Sequence, residues 1–229
     1  MTPISTKHKL SIITTSDGSQ TILNETTQDT YHSRNGAIQE SEHVFLKNGL
    51  AYYAEMYSKQ KIRILEFGLG TGLNVLLSYH WLSNNQECLT LDYHAVEKFP
   101  ISAEISSQLS YKEVPNDNIL LEKIHDCKVS HQISLSDNFQ FRMYEQDFEE
   151  FNSAEKFDII FHDAFSPTTH PSVWQEAFLL KCYNLLNDNG ILITYCAQGA
   201  FKRALKAVGF TVEKLAGPPG KREITRATH

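Results

Sequence analysis

Apolar and polar residues alternate over residues 10–24, on both sides of Asp17-Gly18, a dipeptide that supplies the positive φ values of a tight type I′ turn. This segment predicts a β-hairpin. Residues 29–49 are polar and rich in His, Glu and Asn, and residues 44–57 become amphipathic enough for a helix, so residues 1–60 read as a hairpin-and-helix lead-in and not as a separate domain. From Lys61 the pattern changes. The apolar run Ile62, Ile64, Leu65, Phe67 ends in a glycine-rich turn and is followed by a helical stretch over 73–82. A second strand over 89–96 ends at Glu97, with helix-compatible sequence over 101–109. Further strands are predicted at 139–144, 157–162 and 190–195, and further helices at 172–186 and 199–208. Residues 111–137 are polar and irregular, too long for an ordinary connection, and read as a partly helical insertion. Strands and helices that alternate in this way require parallel strands joined by crossovers and covered on both faces. Residues 61–229 are therefore expected to form a doubly wound α/β core.

Ligands of such folds bind at the carboxyl ends of the strands, near the point where strand order reverses. The first strand end reads Glu66-Phe67-Gly68-Leu69-Gly70-Thr71-Gly72-Leu73-Asn74, the second gives Glu97, the third Asp147-Phe148, and the fourth Asp163-Ala164-Phe165-Ser166-Pro167. Glycines at 68, 70 and 72 let a ligand approach the backbone, although GxGxG alone is a weak signal and also fits a plain strand-to-helix turn. Glu97 stands where an acid accepts from both ribose hydroxyls. Dinucleotide sites share that acid, but their GxGxxG turn holds a pyrophosphate, and a carboxylate two residues before the first glycine would repel one. Glu66 suits a cationic ligand instead. S-adenosylmethionine, with its sulfonium and ammonium, is such a ligand.

The remaining sequence excludes more than it adds. With 229 residues, 41% hydrophobic and 21% charged, the chain is long and apolar enough for a sizeable core, which rules out disorder and fibrous repeats. No apolar run reaches the roughly 18 residues of a membrane span, and the N-terminus lacks the apolar stretch of an export signal, so a cytoplasmic protein is expected. Four scattered cysteines without a CxxC read as reduced thiols, and none of the ten histidines forms a metal-ligand pattern; no metal is expected. His162, adjacent to Asp163 on a strand, points to the opposite face and is expected to pack. Net charge is −6, yet residues 201–229 hold seven Lys and Arg against two Glu. That basic end reads either as a solvated tail or as a polyanion contact. The apolar face of the 199–208 helix would leave Lys202, Arg203 and Lys206 exposed, to join Lys221, Arg222 and Arg226 in a phosphate-gripping patch.

Taken together, the E-F-G-x-G-T-G-x-N turn, the D-A-F-S-P strand end with Trp174 after it, the T-Y-C-A-x-G of residues 194–199 and the R-A-L-x-x-x-G-F of residues 203–210 resemble the MnmC-type methyltransferases. These complete 5-methylaminomethyl-uridine at the tRNA wobble position. Tyr31-His32-Ser33, the E-S-E-H-V-F-L of residues 40–46 and the G-x-x-x-K-R-E of residues 217–223 extend the likeness over most of the chain. Residues 109–137 match nothing in it, and no fused oxidoreductase domain accompanies it. The resemblance implies a Rossmann-like class I methyltransferase fold, S-adenosylmethionine as cofactor and a tRNA anticodon stem-loop as partner. It places Glu66, Gly68, Gly70, Thr71 and Asn74 around the methionine part of the cofactor, Glu97 at the ribose, and Asp147 and Phe148 at the adenine. Asp163 would face the amine to be methylated, with Tyr31 and Phe165 on the substrate side. Alternatives stay open: Asp147 also fits a helix cap, Phe165 and Trp174 fit the core, and Tyr195 fits a sheet edge. Polyamine synthases or small-amine methyltransferases share the sheet, but aminopropyl transfer uses a second acid in the glycine turn, where Thr71 stands here.

Overall fold

A computed structural model describes residues 9–85, 88–112, 114–129 and 131–229; the first eight residues, read above for an export signal, lie outside them. The alternating N-terminal segment forms the expected hairpin, β1 (Leu10–Thr14) antiparallel to β2 (Gln20–Asn24). Its turn, however, is not type I′. Gly18 has a φ of +87° while Asp17 has none in the positive range, and Thr15 N–H donates to Ser19 O across a longer loop. The Asp17 carboxylate accounts for the difference, accepting from Thr15 Oγ1 at 2.7 Å and from Ser19 N–H and Gln39 N–H at 3.1 Å. Helix follows earlier than its amphipathic stretch predicts: α1 (Ala37–Ser41), a π-helical stretch Glu42–Ala51 and α2 (Tyr52–Tyr57) succeed one another without a break. Val44, Phe45, Leu46 and Leu50 of this segment are buried, with Phe45 packed 5.1 Å from Phe161.

The core sheet contains β3 (Lys61–Phe67), β4 (Thr90–Glu97), β5 (Gln132–Ser136), β6 (Phe139–Glu145), β7 (Phe157–His162), β8 (Leu186–Thr194), β9 (Thr211–Ala216) and β10 (Glu223–Thr228). Its order is β5-β6-β4-β3-β7-β8-β10-β9. Strands β6, β4, β3, β7 and β8 are parallel, whereas β5 and β10 run antiparallel to their neighbours. From β3 the chain moves outward through β4 to β6 and then returns to β7 on the other side of β3. The switch point therefore lies between the ends of β3 and β7. Alternation along β3 shows why both faces must be covered: Ile62 and Ile64 join one buried cluster with Phe45 and Tyr93, while Leu65 and Phe67 join another with Ile160 and Phe178. Helices α3 (Leu73–Asn85), α6 (Glu176–Leu185) and α7 (Gly199–Ala207) connect the strands. No helix among the described residues is long and apolar enough to cross a membrane.

Three local expectations change. The predicted 101–109 helix is only α4 (Ala103–Ser106), capped by Ser102. Residues 111–137 contain α5 (Asp117–His125) and the edge strand β5. The basic C-terminal segment is neither a solvated tail nor a uniformly exposed patch, because β9 and β10 complete the sheet. Arg226 is buried on β10, bonded to Glu213 at 3.0–3.1 Å and lying 3.4 Å over the Tyr52 ring. Lys202, expected on the exposed face of α7, is 8% exposed and paired with Glu223 at 2.8 Å. Arg203, Lys206 and Arg222 do face solvent.

Candidate active site

The ends of β3 and β7 meet through Gly68. Its φ is +101°, and a Cβ there would lie 2.6 Å from the Asp163 carbonyl oxygen, so any side chain would force the two strand ends apart. On the first turn of α3, one amide nitrogen serves two acids. Asn74 Nδ2 donates to Glu66 Oε1 at 2.8 Å and to Asp163 Oδ2 at 2.9 Å. Glu66 is fully buried, and its Oε2 and Asn74 Oδ1 have no hydrogen-bond partner among the described residues. Burial pushes the Glu66 carboxyl up to about 8 against the pull of Asn74. Burial, and then the charges of Glu66 and Glu40, push Asp163 well above the usual carboxylate range. Two desolvated acids with one shared donor lack positive charge. This arrangement either keeps a proton or accepts a cation.

The glycine loop is fixed from three sides. Glu97, at the end of β4, accepts from Gly70 N–H at 3.2 Å and Phe99 N–H at 2.9 Å, and burial raises its carboxyl. Thr71 is fully buried and its Oγ1 receives the Tyr111 hydroxyl proton at 2.8 Å. The same oxygen lies 2.8 Å from His32 Nε2. Burial lowers His32 to about 4, so the ring is neutral and shares one hydrogen bond with the Thr71 hydroxyl. His125 Nε2, 3.0 Å from Thr71 O, closes the set. The lead-in, the glycine loop and the 111–137 segment thus converge on one threonine.

Above the loop opens a cavity of about 300 Å³. Tyr31 and Phe165 stand edge to face with ring centroids 5.4 Å apart, and both line it. Lys221 pairs with Glu40 and sits 4.1 Å over the Tyr195 ring, whose hydroxyl donates to Ala164 O at 2.8 Å. Trp174 is buried beneath, its Nε1–H donating to Phe165 O at 2.9 Å. His162 packs as expected: it is fully buried, with Nε2 3.0 Å from Val173 O and the ring 4.3 Å from Trp174, and burial pushes it down to about 3.

Of the residues singled out from sequence, Tyr31, Gly68, Gly70, Glu97, Phe148, Asp163, Phe165 and Lys221 line this cavity. Glu66, Thr71 and Asn74 lie beneath its floor. Asp147 does not line it: the carboxylate accepts from Lys98 Nζ at 2.6 Å and Glu149 N–H at 2.9 Å, and Lys98 holds it below its usual range. Lys202, Arg203 and Arg222 are not in the lining either. Sequence reasoning missed Glu40, Asp29 and Tyr111. Glu40 and Asp29 belong to a polar lead-in with no periodic signal, and Tyr111 opens the segment that matched no pattern.

This sheet order, with a glycine turn and acids at the switch point, defines a Rossmann-like class I S-adenosylmethionine-dependent methyltransferase. A family profile described as S-adenosyl-L-methionine-dependent methyltransferase matches residues 111–229, and the chain belongs to that family. It is 30% identical over 211 residues to the tRNA 5-methylaminomethyl-2-thiouridine biosynthesis bifunctional protein MnmC of Aromatoleum aromaticum, covering 88% of this chain and 33% of that protein. An uncharacterized protein of Methanocaldococcus jannaschii, MJ0670, is 27% identical over 221 residues, covering 94% and 58%. The chain therefore spans between a third and three fifths of the length of these relatives. Among solved structures, MNMC2 from Aquifex aeolicus superposes with a TM-score of 0.77 at 27% identity, covering 97% of this chain and 71% of that one.

Proposed function

We propose that the chain transfers the methyl group of S-adenosylmethionine to the primary amine of 5-aminomethyl-(2-thio)uridine at the tRNA wobble position, giving the 5-methylaminomethyl nucleoside. The observation that carries this reading is the acid pair Glu66 and Asp163, sharing the Asn74 amide at the foot of a cavity flanked by Tyr31 and Phe165. Similarity to proteins named for 5-methylaminomethyl-2-thiouridine biosynthesis supports the choice of acceptor.

The residues fit the cofactor. Asp163 and the backbone of Gly68 and Gly70 face the cavity, with Glu66 behind them to favour an ammonium, and Glu97 retains lone pairs for ribose hydroxyls. Phe148 offers an apolar wall for the adenine, with Asp147 beside it. S-adenosylmethionine supplies an electrophilic methyl on an already good leaving group. The protein's task is then placement: the cavity would bring the acceptor amine against the bound cofactor, and proximity of that kind can supply roughly 7–11 kcal/mol of a barrier. In that reaction the amine would supply the electron pair of the new N–C bond, the cofactor would leave as its neutral thioether, and the proton of the ammonium product would pass to water. Asp163 orients the amine by accepting one of its N–H bonds. A base positioned for a flipped anticodon base needs an aromatic mouth, and Tyr31 and Phe165 supply stacking faces. Exposed Arg203, Lys206 and Arg222 grip phosphates. This reading puts the enzyme in the cytosol with its tRNA.

Aminopropyl transfer is disfavoured by Thr71, which holds the area where that chemistry keeps a second acid and is committed to His32 and Tyr111. The test is methyl transfer from labelled cofactor to tRNA blocked at the aminomethyl stage, with nucleoside mass analysis. One added methyl on that nucleoside is expected, with a loss of roughly 10²-fold in rate for Asp163→Ala, the cost of a misplaced nucleophile. Transfer to small amines but not to the tRNA refutes the assigned acceptor.

A further inference from the structure

We propose that Lys221 keeps the acceptor amine unprotonated: its ammonium is the one positive charge among the described residues lining the cavity, and it penalises a second cation beside it. This rests on the amine acceptor proposed above.

The cavity is otherwise acidic. Asp29, Glu40, Glu97 and Asp163 line it, while the lining His32 is held neutral. An alkyl amine of the lysine type has an ordinary pKa of about 10.4 and carries no free lone pair at neutral pH. Each ionised carboxylate nearby makes this worse, because opposite charge favours the protonated form, whereas a like charge favours the neutral one. The sulfonium of a bound cofactor would oppose that protonation from the donor side, and Lys221 opposes it from the acceptor side.

Lys221 is held there from two elements. Its ammonium pairs with Glu40 Oε1 of α1 and lies 4.1 Å over Tyr195 at the end of β8. Glu40 is pinned in turn, since its Oε2 accepts from Ser33 N–H at 2.8 Å. The Tyr195 hydroxyl is tied to Ala164 O, the residue next to Asp163. The titratable groups facing Lys221 are Glu40 from α1, Asp163 after β7, Tyr195 and Cys196 after β8, and His32 from the lead-in. Burial raises the Tyr195 hydroxyl and the Cys196 thiol, so both stay neutral. The charges nearest an amine at Asp163 are therefore Asp163 itself, Glu66 on the shared Asn74 amide, Glu40 and Lys221. The sequence had assigned Lys221 to phosphate; its place in the cavity wall gives it this other task.

The experiment is single-turnover methyl transfer from about pH 6 to about pH 10 on tRNA carrying wobble 5-aminomethyluridine, where the acidic limb of the rate reports the bound amine. Lys221→Met should move that limb up by about one pH unit, lowering the rate on it about tenfold, and Glu40→Gln should move it down by a similar amount. Lys221→Arg should keep the wild-type limb. A role confined to pinning the loop makes the two charge-removing variants equivalent, because each breaks the same contact. Limbs that stay in place, or move in the same direction, overturn the proposal. If Lys221→Met does not fold, Lys221→Gln, which removes the charge but keeps a donor for Glu40, is read in its place, and a limb that stays at the wild-type position overturns the proposal. A wild-type enzyme that transfers no methyl to this RNA at any pH overturns the amine reading itself, and this proposal with it.

Discussion

Glu66 makes the cofactor-free protein sensitive to pH, and its substitution by Gln tests the acid pair directly. The carboxyl has a folded-state value of about 8 against an ordinary 4.5. The folded chain therefore binds this proton more tightly than the unfolded chain, and the stability it contributes is full below 4.5 and is lost as pH rises through about 8. Between about pH 5.5 and about pH 8.5 the loss comes to about 3 kcal/mol. At ~2–4 °C per kcal/mol for a domain of this size, that is roughly 6–12 °C of melting temperature. Asp163 is raised by the same burial and by Glu66 itself, so it adds to the slope in the same direction. Gln keeps an oxygen for the Asn74 amide but cannot ionise. Thermal melts of wild type and Glu66→Gln across this window, without cofactor, should show the slope in the first and its reduction in the second. Calorimetry supplies a second arm: a carboxyl pushed up by burial still holds its proton near neutral pH, and a cationic ligand should displace it. The binding heat of S-adenosylmethionine should then vary with the ionisation enthalpy of the buffer. Identical pH slopes for the two proteins, together with a buffer-independent heat, would refute the shared-proton account.

Tyr111→Phe removes the hydroxyl that donates to Thr71 and should cost about 1 kcal/mol in urea unfolding, with a rise in cofactor Kd as the glycine loop loosens. Charge reversal at exposed Arg203, Lys206 and Arg222 together should weaken tRNA binding and reduce the salt slope of its affinity by about 2–3, with the fold intact. Lys202→Glu should instead lower stability in denaturant titration, because it breaks the ion pair of a buried position and sets a like charge against the partly exposed Glu223.

The strand-end half of the candidate site was legible because its residues are local in sequence. A strand end, a glycine turn and the first helical turn supply Glu66, Gly68, Gly70 and Asn74 within nine residues, and the period of the apolar positions places all of them at the switch point. Glu97 and Asp163 follow the same rule at the next strand ends. Strands β9 and β10 were not legible, for an equally physical reason. Arg226 and Thr225 are buried on β10 at 6% and 0% exposure, so the strand lacks the apolar run that marks a buried one. Its pattern becomes intelligible only when Glu213, Asn48 and Tyr52 are seen around the guanidinium. Charge counting then mistook paired cations for free ones.

The substrate half is built from the ends of the chain, and this separation explains both its illegibility and its use. Ser33 and Glu40 come from the lead-in, Lys221 from the turn between β9 and β10, and only the folded sheet brings them beside Asp163. Thr71 ties the lead-in to the glycine loop through His32, so the wall proposed to meet the acceptor and the loop proposed to meet the cofactor share one hydrogen-bond chain. A loosened lead-in would then disturb both halves together. Cutting the chain at Thr71 should therefore raise the KM for both the cofactor and the acceptor, whereas a change confined to Lys221 and Glu40 should alter the pH response and leave cofactor affinity in place. The two sets of variants separate what positions the reactants from what sets their charge.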